Sequence, residues 1–211
     1  MLNIKEDYHI HCNYNDHSSN DLSVENVIEK AKDLHLQTIA FTEHVRSNSD
    51  WTEKYLREIN SFEDRTTIKI LKGFEAKILP DGSIDCPEIY LNDEYFIIAS
   101  FHTKYQEKEK WYNALLGAIR NKNVNVIGHL APDAGISLTN LEIKRLGEEI
   151  LSNNKIVEIN AKYKRPPLEL LKVFKDLDIQ FHLGSDAHSL DDIGNFERIN
   201  ELINFIEQRG E

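Results

Sequence analysis

The sequence predicts an α/β fold in which seven parallel strands close into a barrel inside a layer of helices. Three observations carry this. Short apolar runs alternate with amphipathic helical stretches along the whole chain, which is the pattern of a parallel sheet covered on both faces. No linker, low-complexity tract or repeat interrupts the alternation, so residues 1–211 read as one domain. Seven of the nine histidines fall at or just beyond the ends of the apolar runs, where a barrel of this kind gathers its functional groups.

The strands are expected at residues 4–10, 38–42, 68–75, 95–101, 124–129, 156–159 and 179–183. Between the first two, Ser23 caps a helix whose buried stripe is Val24, Val27, Ile28, Ala31 and Leu34. Trp51, Tyr55, Ile59 and Phe62 mark the next helix. Leu79-Pro80-Asp81-Gly82-Ser83 carries the Asp-Gly signal of a tight turn and makes a small hairpin excursion. Trp111, Leu115, Ala118 and Ile119 mark a third helix. Thr139 with Glu142 three residues later is a capping box, opening the helix of Leu146 and Ile150. Pro166-Pro167 opens a helix that turns Leu170, Phe174 and Leu177 inward. Phe196, Ile199, Ile203 and Ile206 form the last stripe. All of these stripes are read as core.

Composition narrows the function. The chain has 211 residues, 40% hydrophobic and 29% charged, enough for a sizeable core. Its formal net charge of −11 argues against nucleic acid as the main partner. No apolar run is long enough to span a membrane, and the first residues lack the features of a secretion signal. Two cysteines, Cys12 and Cys86, make no disulfide framework, so a reducing cytoplasm is the expected location.

The strand ends carry the chemistry. His9 and His11 share one face of the first strand, roughly 6–7 Å apart at the backbone. His17 follows in the loop. Glu43-His44, Glu75, His102, His129 and Glu158 end the second to sixth strands, and Asp186-Ala187-His188 follow the seventh. So many titratable groups on one rim require a strong counter-charge, and a metal is the obvious one. Basic residues stand two positions beyond several of these groups: Arg46, Lys77 and Lys104. Lys162, Lys164 and Arg165 follow the sixth strand. A cationic mouth of this kind would pre-bind phosphate. Cys12 points away from the face of His11 and packs. His35 belongs to the end of the first helix, and His182 to the core.

With His9-x-His11, His17, Thr42-Glu43-His44, Glu75, His102, His129 and Asp186-Ala187-His188 in place, the chain resembles the PHP (polymerase and histidinol phosphatase) family over nearly its whole length. The resemblance implies a distorted seven-stranded (β/α)7 barrel, similar to a TIM barrel, holding three divalent ions of zinc, manganese or iron. It implies that His9, His11, Glu75 and Asp186 hold one ion. Glu75 is shared with a second on His102 and His129, and His17, His44 and His188 hold the third. Glu43, in place of the family's commoner aspartate, orients a ligand imidazole rather than binding metal. The implied activity is hydrolysis of a small-molecule phosphate monoester, histidinol-phosphate-phosphatase-like, by a hydroxide held between two ions. Arg46 is expected to touch substrate, and the leaving alkoxide is neutralised by the third ion or by a proton from the neighbourhood of Asp186 or His44. The alternatives are a phosphodiesterase or exonuclease on nucleotides or short single strands, and a non-catalytic metal-stabilised module.

Overall fold

Strands β1 (Glu6–Ile10), β2 (Thr38–Val45), β3 (Lys69–Ile78), β5 (Phe96–Ser100), β6 (Val126–Ile127), β7 (Ile156–Asn160) and β8 (Phe181–Gly184) lie side by side in this order, every pair parallel. The computed structural model describes residues 2–208. Just past β8, the Asp186 amide donates to the His9 carbonyl at 2.8 Å and the His11 amide to the Ala187 carbonyl at 3.1 Å. These bonds bring the last strand back to the first and nearly close the barrel. The two-residue β4 (Ile84–Asp85) pairs antiparallel with the end of β3, which is the predicted hairpin. Gly82 at its tip, with φ +83°, lies against Gly117, and a Cβ on Gly82 would meet the Gly117 Cα at 2.6 Å. Two glycines therefore let the hairpin rest directly on a helix backbone.

The helices are α1 (Val24–Asp33), α2 (Thr52–Glu63), α3 (Lys108–Arg120), α4 (Asn140–Ser152), α5 (Leu168–Asp176) and α6 (Asn200–Glu207). Ser23 caps α1 by accepting the Asn26 amide. Trp111, Ala114, Leu115, Ala118 and Ile119 turn α3 onto the sheet. Leu34 stands just past α1 and is exposed, outside the stripe expected to include it. His35 likewise falls outside the helix, exposed and in the left-handed region at φ 55°. Among the described residues no helix is long and apolar enough to cross a membrane.

The capping box at α4 is complete: Thr139 accepts the Glu142 amide while the Glu142 carboxylate accepts the Thr139 amide. Thr139→Ala is expected to cost about 1 kcal/mol of stability, read from the urea midpoint at pH 7. Glu142 also takes Lys108 Nζ at 2.7 Å. Lys108, then Thr139, hold its pKa down from 4.5 to about 2. Because the folded value is depressed, its contribution is fully present above about 4.5 and is lost as pH falls through about 2. The stability gap between the native chain and Glu142→Gln should close over that window.

Four strands differ from the sequence reading in ways that shape the barrel and its rim. β2 runs on to Val45 and β3 to Ile78, so Glu43, His44 and Glu75 sit within strands rather than at their ends; His44 and Glu75 are register partners. The β4 hairpin is what prolongs β3. β6 is only two residues long, because the chain leaves the sheet at His129, whose φ is 27°. In β1 the register shifts between Asp7 and Ile10. The shift lets consecutive residues face inward: Tyr8 lies 6.0 Å from Phe96 on the non-adjacent β5, while His9 meets Glu158 of β7. Tyr8 stacks at 4.7 Å on His182, which is buried with its pKa lowered to about 4 by that burial. These rings fill the barrel below the histidines.

Candidate metal centre

At the C-terminal end of the barrel, a cleft of about 650 Å³ is lined by His17, His44, Glu75, His102, His129, Asp186 and His188 among others. His9 and His11 form its fully buried floor. All nine predicted ligand residues thus come together, drawn from strands and loops spread over 180 residues of chain.

Glu75 is the hub, 1% exposed. Its Oε2 lies 2.7 Å from His44 Nδ1, 3.6 Å from His9 Nε2 and 3.7 Å from His11 Nε2. Its Oε1 lies 3.0 Å from His129 Nε2 and 3.2 Å from His102 Nε2. On the other side of the floor, His9 Nε2 is 3.1 Å from His11 Nε2, which is 3.3 Å from Asp186 Oδ1. Donor atoms that share one ion at bonds of ~2.1 Å stand roughly 3–3.5 Å apart, so this spacing suits a metal. A second sign is directional. His44 Nδ1, Glu75 Oε2 and both His102 ring nitrogens are buried without a directed hydrogen bond, although His44 Nδ1 and Glu75 Oε2 stand only 2.7 Å apart. Buried polar atoms seldom go unsatisfied without a reason, and a shared cation is one.

The close groupings differ in part from the expected sets. Ligand atoms of His9, His11 and Asp186 lie within 4.8 Å of one another, as do those of His11, His44 and His188 and those of His44, Glu75 and His102. His11 thus stands in the group with His44 and His188, while His17 lines the same cleft farther out. The His17 ring stands on the cleft wall, 6.2 Å from the His44 ring, on a loop held by Asn15 accepting the His17 amide.

The buried carboxylates behind the imidazoles fix their orientation. Glu158 Oε1 is 2.6 Å from His9 Nδ1, and its Oε2 accepts the His129 amide at 2.6 Å. Glu43 Oε1 is 3.2 Å from His11 Nδ1 and its Oε2 accepts the Cys12 amide. Glu43 thus orients the imidazole of His11 rather than that of its neighbour His44. Asn160 donates to Asp186 Oδ2 at 3.1 Å. Cys12 is buried in the apolar core, as expected. His129 and Asp186, with φ 27° and 56°, hold left-handed backbone without being glycine. Strain of this kind persists where surrounding bonds impose it, and it clusters at functional sites.

Electrostatics without metal follow from this crowding. Burial disfavours charge on His9, but Glu158, Asp186 and Glu75 outweigh it and hold its pKa well above 6.5. Burial also opposes charge on His11, yet Asp186 and Glu43 raise it to about 9. Burial favours a neutral Glu75, but His102 and His9 hold it well below 4.5. Burial lowers His44, and lowers His188 to about 4. Asp186 stays well below the usual carboxylate range, mainly through His9 and His11 against its burial. Without metal it is therefore an anion.

The basic residues separate into two sets. Arg46 and Lys162 line the histidine-rich cleft. Arg46 donates to the Val45 carbonyl at 2.6 Å and stands 3.7 Å from Asp85. Lys162 Nζ lies 3.4 Å from Asp186 Oδ1 and 2.9 Å from His188 Nδ1, which makes it the cation nearest the ligands. Lys104 and Arg165 line an adjoining recess, and Lys77 and Lys164 line neither.

Comparison with known proteins agrees with this architecture. A probable phosphatase of Caldanaerobacter subterraneus is 32% identical over 67% of this chain and 60% of its own length. A probable phosphatase of Caldicellulosiruptor saccharolyticus is 29% identical over 92% of this chain and 84% of its own. The crystal structure of a Listeria monocytogenes protein, named a putative histidinol phosphatase, superposes with a TM-score of 0.68 at 17% identity, covering 90% of this chain and 97% of that one. At that identity it speaks for the fold. Residues 7–162 match the PHP domain, and with most of the barrel inside that match the chain belongs to the PHP family.

Proposed function

We propose that this chain is a metal-dependent phosphoesterase that hydrolyses a small-molecule phosphate monoester. The observation that carries the reading is Glu75: one buried carboxylate with imidazoles facing both oxygens, at the floor of an open cleft. His9, His11 and Asp186 would hold one ion with Glu75, and His102 and His129 a second. His44 and His188 would hold a third, with His17 reaching in from the wall. Bound divalent ions of zinc, manganese or iron would offset phosphate charge and acidify a coordinated water. The chain's own groups do the rest. Arg46 and Lys162 bring positive charge and N–H donors to the cleft, suited to a phosphate dianion. Glu43, Glu158 and Asn160 keep His11, His9 and Asp186 in place. Hydrolysis joins a water oxygen to phosphorus, breaks the ester P–O bond and leaves the departing alkoxide to take up a proton.

The test is hydrolysis of p-nitrophenyl phosphate against its bis-ester by metal-loaded protein. Monoester turnover that stops with a chelator is the expected result. A preference for the diester, or no turnover of either, overturns the monoesterase reading. Ion binding must also displace protons, since His9 and His11 are charged at neutral pH without metal. Adding divalent ion to chelator-treated protein in weak buffer at pH 7 should therefore release protons, and affinity should fall as pH falls.

A further inference from the structure

A recess of about 450 Å³ opens beside the metal cleft and shares His102, His129 and Tyr163 with it. Its remaining wall is apolar at Phe101 and Pro132 and cationic at Lys104 and Arg165. Arg46 and Lys162 each have a carboxylate within 4 Å, Asp85 and Asp186. Lys104 and Arg165 have no such ion pair among the described residues, in a chain of net charge −11. The recess also holds Asp133, whose Oδ2 accepts the Tyr105 amide at 2.6 Å; it keeps its charge, so the two cations leave the recess with a net charge of one positive. Arg165 is set firmly: its backbone is bonded in both directions to Asn160 at the end of β7. Tyr163, half-exposed, lies 5.0 Å from His129 and presents a ring at the junction of the two cavities.

We propose that this recess is the leaving-group subsite, and that it selects phosphate monoesters whose organic part carries a second anionic group, carboxylate or phosphate. The proposal rests on the phosphatase reading above. An ester with its phosphorus over Glu75, His102 and His129 has its organic part beside the recess. Phe101, Pro132 and Tyr163 would pack the hydrocarbon body, and two unpaired cations would meet an anion on it. Lys104 and Arg165 therefore act on the far end of the substrate, not on the phosphate that reacts.

The experiment compares kcat/KM of metal-loaded protein at low ionic strength for 4-carboxyphenyl phosphate, phenyl phosphate and 4-(aminomethyl)phenyl phosphate. The carboxylate ester is expected to lead the cationic one by at least about tenfold, the scale of a charge-assisted bond in an open site. The doubly reversed variant, Lys104→Glu with Arg165→Glu, should invert that order, a gain that misfolding cannot imitate. A comparison with 1,4-phenylene bisphosphate tells a second phosphate from a carboxylate. Equal rates on all three esters, or an order unchanged in the reversed variant, overturn the selectivity. No turnover of any ester overturns the phosphatase reading, and this one with it.

Discussion

Glu75→Gln is expected to lower kcat/KM by at least about 10²–10³-fold and to reduce the divalent ions bound per chain. The change is nearly isosteric, so the fold should survive. What it removes is charge and one acceptor. Both carboxylate oxygens face imidazole nitrogens, at 2.7 Å to His44 on one side and 3.0 and 3.2 Å to His129 and His102 on the other. An amide nitrogen turned toward either set cannot ligate a cation. The metal-free protein should also weaken, by on the order of 3 kcal/mol, as expected when one partner leaves a buried charge cluster. The sign with pH is fixed. The folded pKa of Glu75 is depressed below 4.5, so its stabilisation is present above that value and is lost in acid. Urea titrations of chelator-treated protein should separate the two chains at pH 7 and bring them together at low pH. A variant that kept its ions and turned over within a few-fold of the native chain would remove Glu75 from the centre of the site.

Much of this cluster is legible in the sequence, for a local reason. His9-x-His11 share a face by strand alternation, and acids or histidines at the ends of successive parallel strands must meet on one rim. The legible part stops where long-range pairing begins. The β1 shift that turns both Tyr8 and His9 inward depends on how β1 meets β2. The run-on of β3 past Glu75 depends on the hairpin with β4. How near His17 comes to His44 depends on how one loop closes, which spacing does not determine. In the sequence Lys162 is one of six basic residues near strand ends, and only the fold of the β7 loop sets its ammonium beside Asp186 and His188. The same loop parts Arg165 from Lys162, turning one predicted cationic mouth into two cavities. Glu158 does carry a signal, as an acid in an otherwise apolar strand, but its partners, His9 and the His129 amide, are set by the register.

Glu158→Gln should separate ligand positioning from ligation. The carboxylate serves two donors at once, His9 Nδ1 and the His129 amide, each at 2.6 Å. Glutamine offers one oxygen, so one of the two is left facing an NH₂ group. The ring of His9 or the backbone of His129 then loses its anchor while every direct ligand remains. Metal affinity and kcat/KM are expected to fall about 10–100-fold, the usual cost of removing a group that holds a ligand imidazole. Added divalent ion should restore much of the rate, whereas it should not rescue Glu75→Gln. Gly184→Ala probes the same contact from the backbone side. A methyl there would stand 2.1 Å from Glu158 Oε1 and 2.8 Å from His9 Cβ, and backbone and side chain must shift to admit it. Weaker ion binding is expected, together with a stability loss of about 1–3 kcal/mol for overpacking. If Glu158→Gln instead lost its ions beyond rescue, the carboxylate would be a ligand itself; if it bound and turned over like the native chain, His9 would need no support from β7.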